Sequence, residues 1–259
     1  MEESSIEIRK NILKIAHKSG HGHIPTCFSV IELLQSVYMI MNHKPNQPNW
    51  PERDIFILSK GHAALGLYCV LAHFGYFPIE DVYSFGKFKS NFGCHADRKK
   101  VPGIEASTGS LGHGIGIALG MAMAFKIKKS SRKVYVLIGD GESNEGSVWE
   151  AIMIASNLKL SNFTILFDNN NSQTKCLPIN KPVDRFESFG CKVTEVNGHN
   201  INEIKNALIE TDTIHVICAN TIKGYGCKTL YENMFAWHRR SPNNEELDHL
   251  IEELNENSI

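Results

Sequence analysis

The sequence predicts an α/β fold, a parallel β-sheet sandwiched between helices. Three observations carry this. Short runs rich in apolar residues recur along the chain: "IFILS" at 55–59, "VYVLIG" at 134–139, "FTILFD" at 163–168, "CKVTEV" at 191–196 and "IHVICAN" at 214–220. Runs of this kind suit strands that are covered on both faces. Helix-period stretches alternate with them, which is the order of a parallel sheet. Finally, "VYVLIGDGESNEGSVWE" (134–150) reads as a buried strand, a glycine turn and a helix start.

The elements follow in chain order. Ile8, Ile12 and Ile15 recur at helical spacing and predict an amphipathic helix over 4–17. Ser29 with Glu32 has the pattern of a capping box, ahead of a helical stripe of Ile31, Leu34, Tyr38 and Met41. The Pro- and Asn-rich "NHKPNQPNWPERD" is a loop. After the first strand, 61–75 is apolar on most sides, as a buried helix is. The stretch 86–114 is rich in glycine and has little periodicity. Loops of that length inside a compact domain are usually functional or disordered. A small-residue helix is expected at 115–128 and another helix at 202–209. At the C-terminus Leu247, Leu250, Ile251 and Leu254 form one narrow stripe. That helix, about 243–255, reads as a packing helix or as a docking face for another chain.

Bulk properties exclude several functions. The chain has 259 residues and a net charge of −1, with a pI near 6.9. No strong basic surface for nucleic acid or acidic membrane is expected, and Arg98-Lys99-Lys100 is a short solvated run. Seven scattered cysteines lack CxxC or zinc spacing and suit a reducing compartment. "MEESSIEIRK" is not a signal peptide, and the longest apolar run, Gly114 to Phe125, is too short to span a bilayer. A cytoplasmic protein is expected.

Helix starts after glycine turns are places where α/β proteins bind phosphates. Yet this turn carries Asp140, Glu142 and Glu145. Ligands of open parallel sheets sit beyond the carboxyl ends of strands. Asp140 ends one strand, and Asp168, Asn169, Asn170 and Asn171 end the next. If the two strands are neighbours, a carboxylate and an amide oxygen meet beside a glycine turn. Such hard oxygen ligands suit Mg²⁺ or Ca²⁺, and Mg²⁺ completes its shell with phosphate oxygens and water. The plainer reading is that Asp-Gly and Asn clusters merely make turns.

The words around these residues narrow the reading. A Gly-Asp-Gly at a strand end, followed about thirty residues later by Asn, resembles the thiamine-diphosphate-binding motif. "SGHGHIPTCFS" (19–29), "LSKGHAALGLY" (58–68), "HADRKKVPGIEASTGSLGHGIGIALGMA" (95–122), "GDGESNEGSVWEA" (139–151), "DNNNSQT" (168–174), "IKGYG" (222–226) and "WH" (237–238) are similar, in order, to segments of the transketolase family. The resemblance covers nearly the whole chain but only the first of that family's domains. It implies one diphosphate-binding domain over 1–259 with the thiamine-diphosphate-binding fold. It also implies the N-terminal subunit of a split transketolase. Such a chain helps move a two-carbon ketol unit from a ketose or ketose phosphate to an aldehyde.

The catalytic glutamate of the family lies in its pyrimidine-binding domain, so a separate C-terminal subunit with that domain and a third one is the expected partner. Two chains of each kind would make a heterotetramer. The implied cofactors are thiamine diphosphate and Mg²⁺, with Ca²⁺ or Mn²⁺ as substitutes. The implied metal ligands are Asp140, Asn170 and the backbone carbonyl of Ser172. His62, Gly109, Leu111, Gly141, Glu145, Asn170 and His238 are assigned to the cofactor. His21, His62, His95 and His238 are assigned to catalysis, because neutral imidazoles near their pKa suit hydroxyls and proton shuttling.

Several assignments have two readings. Glu145 is either a residue near the metal that links paired sites or a helix-start carboxylate. Lys223 either touches ligand or shapes its loop, and His113 faces the cofactor at most. His23 stands where the family prefers glycine, and either crowds the substrate funnel or turns away. Two rival functions are the α-type subunit of a thiamine-dependent 2-oxo acid enzyme and a non-catalytic module that kept the fold.

Overall fold

The computed structural model describes residues 2–209 and 211–256. Its elements begin with α1 (Glu3–Ser19), α2 (Ile24–Ser29) and α3 (Ile31–Ile40), then β1 (Ile55–Leu58), α4 (Ala64–His73) and the short α5 (Ile79–Val82). After the glycine-rich loop come α6 (Gly114–Ile127), β2 (Val134–Gly139), α7 (Gly146–Asn157), β3 (Phe163–Asn169) and α8 (Pro182–Ser188). The last third holds β4 (Lys192–Asn197), α9 (Ile201–Ala207), β5 (His215–Asn220), α10 (Lys228–Glu232) and α11 (Asn244–Glu256).

All the strands pair in parallel, in the order β1-β2-β3-β5-β4. Alternate residues of each strand point to opposite faces. Phe56, Leu58, Tyr135, Leu137, Leu166 and Ile217 join one core with α1, α3 and α4. Ile55, Ile57, Val134, Val136, Ile165, Phe167 and Val216 join the other with α6, α7 and α8. Both faces are therefore covered, which is why the strands read as nearly unbroken apolar runs. The stripe of α11 is covered within the chain, since Leu250 and Leu254 are fully buried in the first core.

β2 and β3 are neighbours with Gly139 opposite Asp168, so their carboxyl ends do meet. The stretch 86–113 has no regular helix or strand, as its composition implied. α2, α5, α8 and α10 are short helices that the periodicity did not reveal. The expected capping box does not form. Val30 is the N-cap of α3 and makes no side-chain cap. Ser29 instead donates to Thr26 O and to Asp168, while Glu32 is drawn to Arg9 and His199. A buried charge offered a guanidinium takes it in preference to a backbone N–H. Among the described residues no helix is long and apolar enough to cross a membrane.

Candidate active site

The carboxyl ends of β1, β2, β3 and β5 open into one cavity of about 720 Å³, in the usual size range of ligand sites. The segment after β1 brings Lys60 and His62 to it. Gly61 lies so close to the glycine-rich loop that a Cβ there would sit 2.8 Å from Gly109 N. A side chain at 61 would push that loop off the cavity. Gly109 and Leu111 line the wall, and the His95 ring packs on Gly109.

One end of the cavity is lined by oxygen-bearing side chains. Asp140 is 5 % exposed and Asn170 is 4 % exposed. Asp140 accepts from Gly141 N at 2.8 Å, Ser172 Oγ at 2.7 Å and Gln173 N at 3.2 Å. Among the described residues it has no ion-pair partner. A buried carboxylate without a cation is costly. Asn170 Nδ2 donates to Asp168 at 2.8 Å, which turns the amide oxygen toward Ser172 N, 3.1 Å away. The two oxygens and the adjacent Ser172 backbone fit a hard divalent ion that retains phosphate and water ligands. No group of three or more His, Cys, Asp or Glu able to hold a metal exists among the described residues. The space above Gly141 is taken by the Gln173 amide, 2.7 Å from where a Cβ would lie.

The other end is built of imidazoles. His23 faces His62 and His238 edge-on, with ring centroids 5.5 and 5.2 Å apart. His62 also lies 3.3 Å from Thr26 Oγ1. Burial, then the charge of Lys60, pushes the His62 pKa down to about 2. Burial, with His238 and His95 next in effect, brings His23 down to about 4. His238 is lowered by burial and by Lys223, whose Nζ is 3.4 Å from its Nδ1. These rings are therefore neutral near pH 7, able to accept and donate at once.

Below the floor sits Asp168, fully buried, at the centre of a polar cluster. It accepts from Lys60 Nζ, Thr221 Oγ1, Ser29 Oγ and Asn170 Nδ2. Burial raises its pKa, but the Lys60 charge and these bonds outweigh that and bring it below the usual value. Glu142 is buried too and accepts from Ser59 Oγ, Gly112 N and Gly139 N. Burial raises its pKa.

A second network holds the β5 loop that carries Lys223. Ile222 N donates to His199 Nε2 at 2.8 Å, so the ring proton is on Nδ1 and points to Glu32, 3.0 Å away. Glu32 is also held by both Arg9 nitrogens at 2.6 and 2.7 Å. Burial opposes its charge, but Arg9 and His199 bring its pKa down to about 2. Gly224 N donates to Pro25 O at 3.0 Å, tying that loop to α2.

The cavity gathers most of the residues named from the sequence: His62, His95, Gly109, Leu111, Asp140, Gly141, Asn170, Ser172 and His238. It does not gather His21, which is exposed and packs against Gly86. His23 lies in the cavity instead, so it does not turn away. Glu145 is the exposed N-cap of α7 and is not part of the lining, while His113 is exposed beside Leu111 O. Lys60, Glu142, Gln173, Phe235 and Arg239 line the cavity although the motifs alone did not mark them as site residues. Lys60 and Glu142 stand inside two of those motifs, and an ionisable residue inside an apolar strand-end segment is the signal for both.

Residues 3–255 match the family model described as "Transketolase, thiamine diphosphate binding domain". The chain is 39% identical, over 98% of its length and 95% of the relative, to one subunit of the apulose-4-phosphate transketolase of Actinobacillus succinogenes. It is 38% identical to one subunit of the 6-deoxy-6-sulfo-D-fructose transketolase of a Clostridium species, over 85% of this chain and 83% of that one. Among solved structures, the transketolase of Campylobacter jejuni superposes with a TM-score of 0.88 at 29% identity, over 98% of this chain and 42% of that one. The chain thus spans about two fifths of that longer enzyme. With its parallel sheet and these matches, the chain belongs to the transketolase family, of which it spans the thiamine diphosphate binding domain.

Proposed function

We propose that this chain is the N-terminal subunit of a two-chain transketolase dependent on thiamine diphosphate and Mg²⁺. One observation carries the reading: a single cavity holds a cation-seeking carboxylate and amide at one end and neutral imidazoles at the other. Asp140, Asn170 and the Ser172 carbonyl hold the ion, with Ca²⁺ or Mn²⁺ as substitutes. An ion held there would neutralise diphosphate charge.

When bound, the cofactor supplies the electron sink that lets a ketose carbon–carbon bond break. The chain's own residues do the rest. Lys223, His62 and His238 face the cofactor's anionic and reacting end. Gly109 and Leu111 shape the wall that orients it. His23 takes the part that the resemblance gave to His21: with His95 it binds hydroxyls of the sugar and moves a proton from the donor hydroxyl. Neutral rings are needed, because a charged imidazolium has no lone pair to receive that proton.

The substrate class is an anionic sugar donor with an aldehyde acceptor. The names of two relatives, one of a sugar phosphate and one of a sulfosugar, support that class. Both of those relatives are named as single subunits of their transketolases, which supports a second chain here. A two-plus-two assembly suits a cofactor bound between chains. The whole of this chain acts as one binding domain in that assembly, in the cytoplasm.

The test is co-purification from native cells with Mg²⁺ and thiamine diphosphate, followed by assay of the recovered pair. A partner with a pyrimidine-binding domain, and two-carbon transfer from ketose to aldose, are expected. Turnover of a 2-oxo acid without any ketose, or recovery of this chain alone with no cofactor binding, would overturn the reading.

A further inference from the structure

The cavity holds three cationic side chains, and they are not equivalent. Lys60 is neutralised by Asp168. Lys223 is 5 % exposed and sits deep, within reach of His238. The charges of Lys60, Asp140 and Asp168 also act on it, so it lies between the carboxylate end and the imidazoles. Arg239 lines the same cavity but is exposed, and its charge acts on His23 and His238, as that of Lys223 also does.

Arg239 also has no partner. Arg9 and Arg53 are each held by a carboxylate, and the adjacent Arg240 pairs with Glu246 while lying 3.9 Å over the Trp237 ring. Among the described residues Arg239 has no ion pair and no hydrogen bond of its side chain. Its backbone is anchored all the same, because Trp237 is 3 % exposed and Arg240 is tied away from the cavity. A fixed main chain thus presents an unpaired guanidinium at the exposed edge of a cavity in which Lys60 is paired with Asp168 and Lys223 is buried against His238. The planar fork of arginine matches the oxygens of a tetrahedral oxyanion better than an ammonium does.

We propose that Arg239 is the residue of this chain that determines specificity for an anionic substituent, a phosphate or a sulfonate, on the sugar substrate. The inference rests on the proposed transketolase reading and deepens it. The oxyanion would sit at the mouth, beyond the imidazoles and away from the Asp140 end.

The experiment uses the full chain reconstituted with its partner, as wild type, Arg239→Gln and Arg239→Lys. The ratio of kcat/KM for a ketose phosphate over the same ketose without phosphate is expected to fall about tenfold or more in R239Q, the size of a lost charge-assisted bond. R239K is expected to recover part of it, and a sulfonated ketose to behave as the phosphate does if only the charge and shape are read. An equal loss on charged and neutral ketoses would overturn the proposal. So would weaker thiamine diphosphate binding by R239Q in calorimetry, which would assign the guanidinium to the cofactor. If the wild-type pair is inactive on every ketose, the functional reading fails and calorimetric binding of a sugar phosphate decides the residue separately. Binding that weakens in R239Q supports Arg239, and binding that does not change sinks it.

Discussion

Lys60 and Asp168 form an ion pair beneath the cavity floor, with side chains 2% and 0% exposed. They stand 108 positions apart in the chain, at the ends of β1 and β3. The pair lets the floor carry a lysine without leaving a free positive charge in the core. Asp168 also orients Asn170, so the pair reaches the proposed metal ligands through one hydrogen bond.

Removing one partner is expected to cost much more than removing both. Asp168→Ala leaves the Lys60 ammonium buried and unpaired, and should destabilise the chain by about 3–5 kcal/mol. The double variant with Lys60→Met should recover a large part of that. Urea denaturation of the wild type, the single variant and the double variant measures it. A loss under about 1 kcal/mol for the single variant would show that water already reaches the pair.

Asp140→Ala should separate binding from folding. Removing a buried carboxylate that has no cation is expected to leave thermal stability equal or higher. Mg²⁺-dependent binding of thiamine diphosphate to the two-chain complex should be lost. Calorimetry with and without EDTA reads the second, and a scanning melt reads the first. Retained Mg²⁺-dependent binding would remove Asp140 from the ligand set.

His23 and His21 differ in placement and should differ in effect. His23→Ala in the reconstituted pair is expected to lower kcat by about a hundredfold or more, the usual worth of a positioned acid-base group. His21→Ala should change it less than about threefold, since the ring lies outside the cavity. Steady-state kinetics on the same ketose and aldose decides, and the reverse order would restore His21 to the mechanism.

Acid should destabilise the chain through His62. Its folded pKa is lowered to about 2, whereas the unfolded ring titrates near 6.5. Below 6.5 the unfolded state therefore binds a proton that the folded state refuses, and stability falls as pH falls. Between roughly pH 6 and pH 4 the loss from this one group is about 2.5 kcal/mol. His62→Gln should flatten that part of the curve of unfolding free energy against pH. An unchanged slope would mean that the buried ring is not the group responsible.

His199 is expected to hold the loop that carries Lys223. His199→Ala orphans Ile222 N and removes one partner from Glu32, at a cost of about 1–3 kcal/mol. Hydrogen exchange at 221–227 should quicken while the strands keep their protection. Equal exchange in that loop would show that the bond from Gly224 N to Pro25 O is enough to hold it.

Much of the architecture was legible because burial imposes a period. β1, β2, β3 and β5 are apolar on both faces, and each was visible as a run. β4 is an edge strand with an exposed Lys192, and its run of Cys191, Val193 and Val196 still marked it. The short helices α2 and α8 were not visible. At six and seven residues they are too short to show a period, and packing rather than propensity forms them.

The strand-turn-helix at 134–150 follows from the amino-acid order alone, while the meeting of Asp140 with Asn170 required β2 and β3 to be neighbours, as they are. One strand-helix-strand crossover between neighbouring strands leaves their carboxyl ends little choice but to lie side by side. Which histidine enters the cavity was settled by packing in three dimensions. His21 and His23 are two positions apart on the approach to α2, and no period distinguishes the direction of a side chain in such a turn. Packing also overruled the capping pattern of Ser29 and Glu32, whose partners Asp168, Arg9 and His199 come from distant elements. The reason is common to both cases. Apolar burial repeats with the geometry of the local element, but the compensation of buried charge depends on which distant groups the packed fold brings within reach.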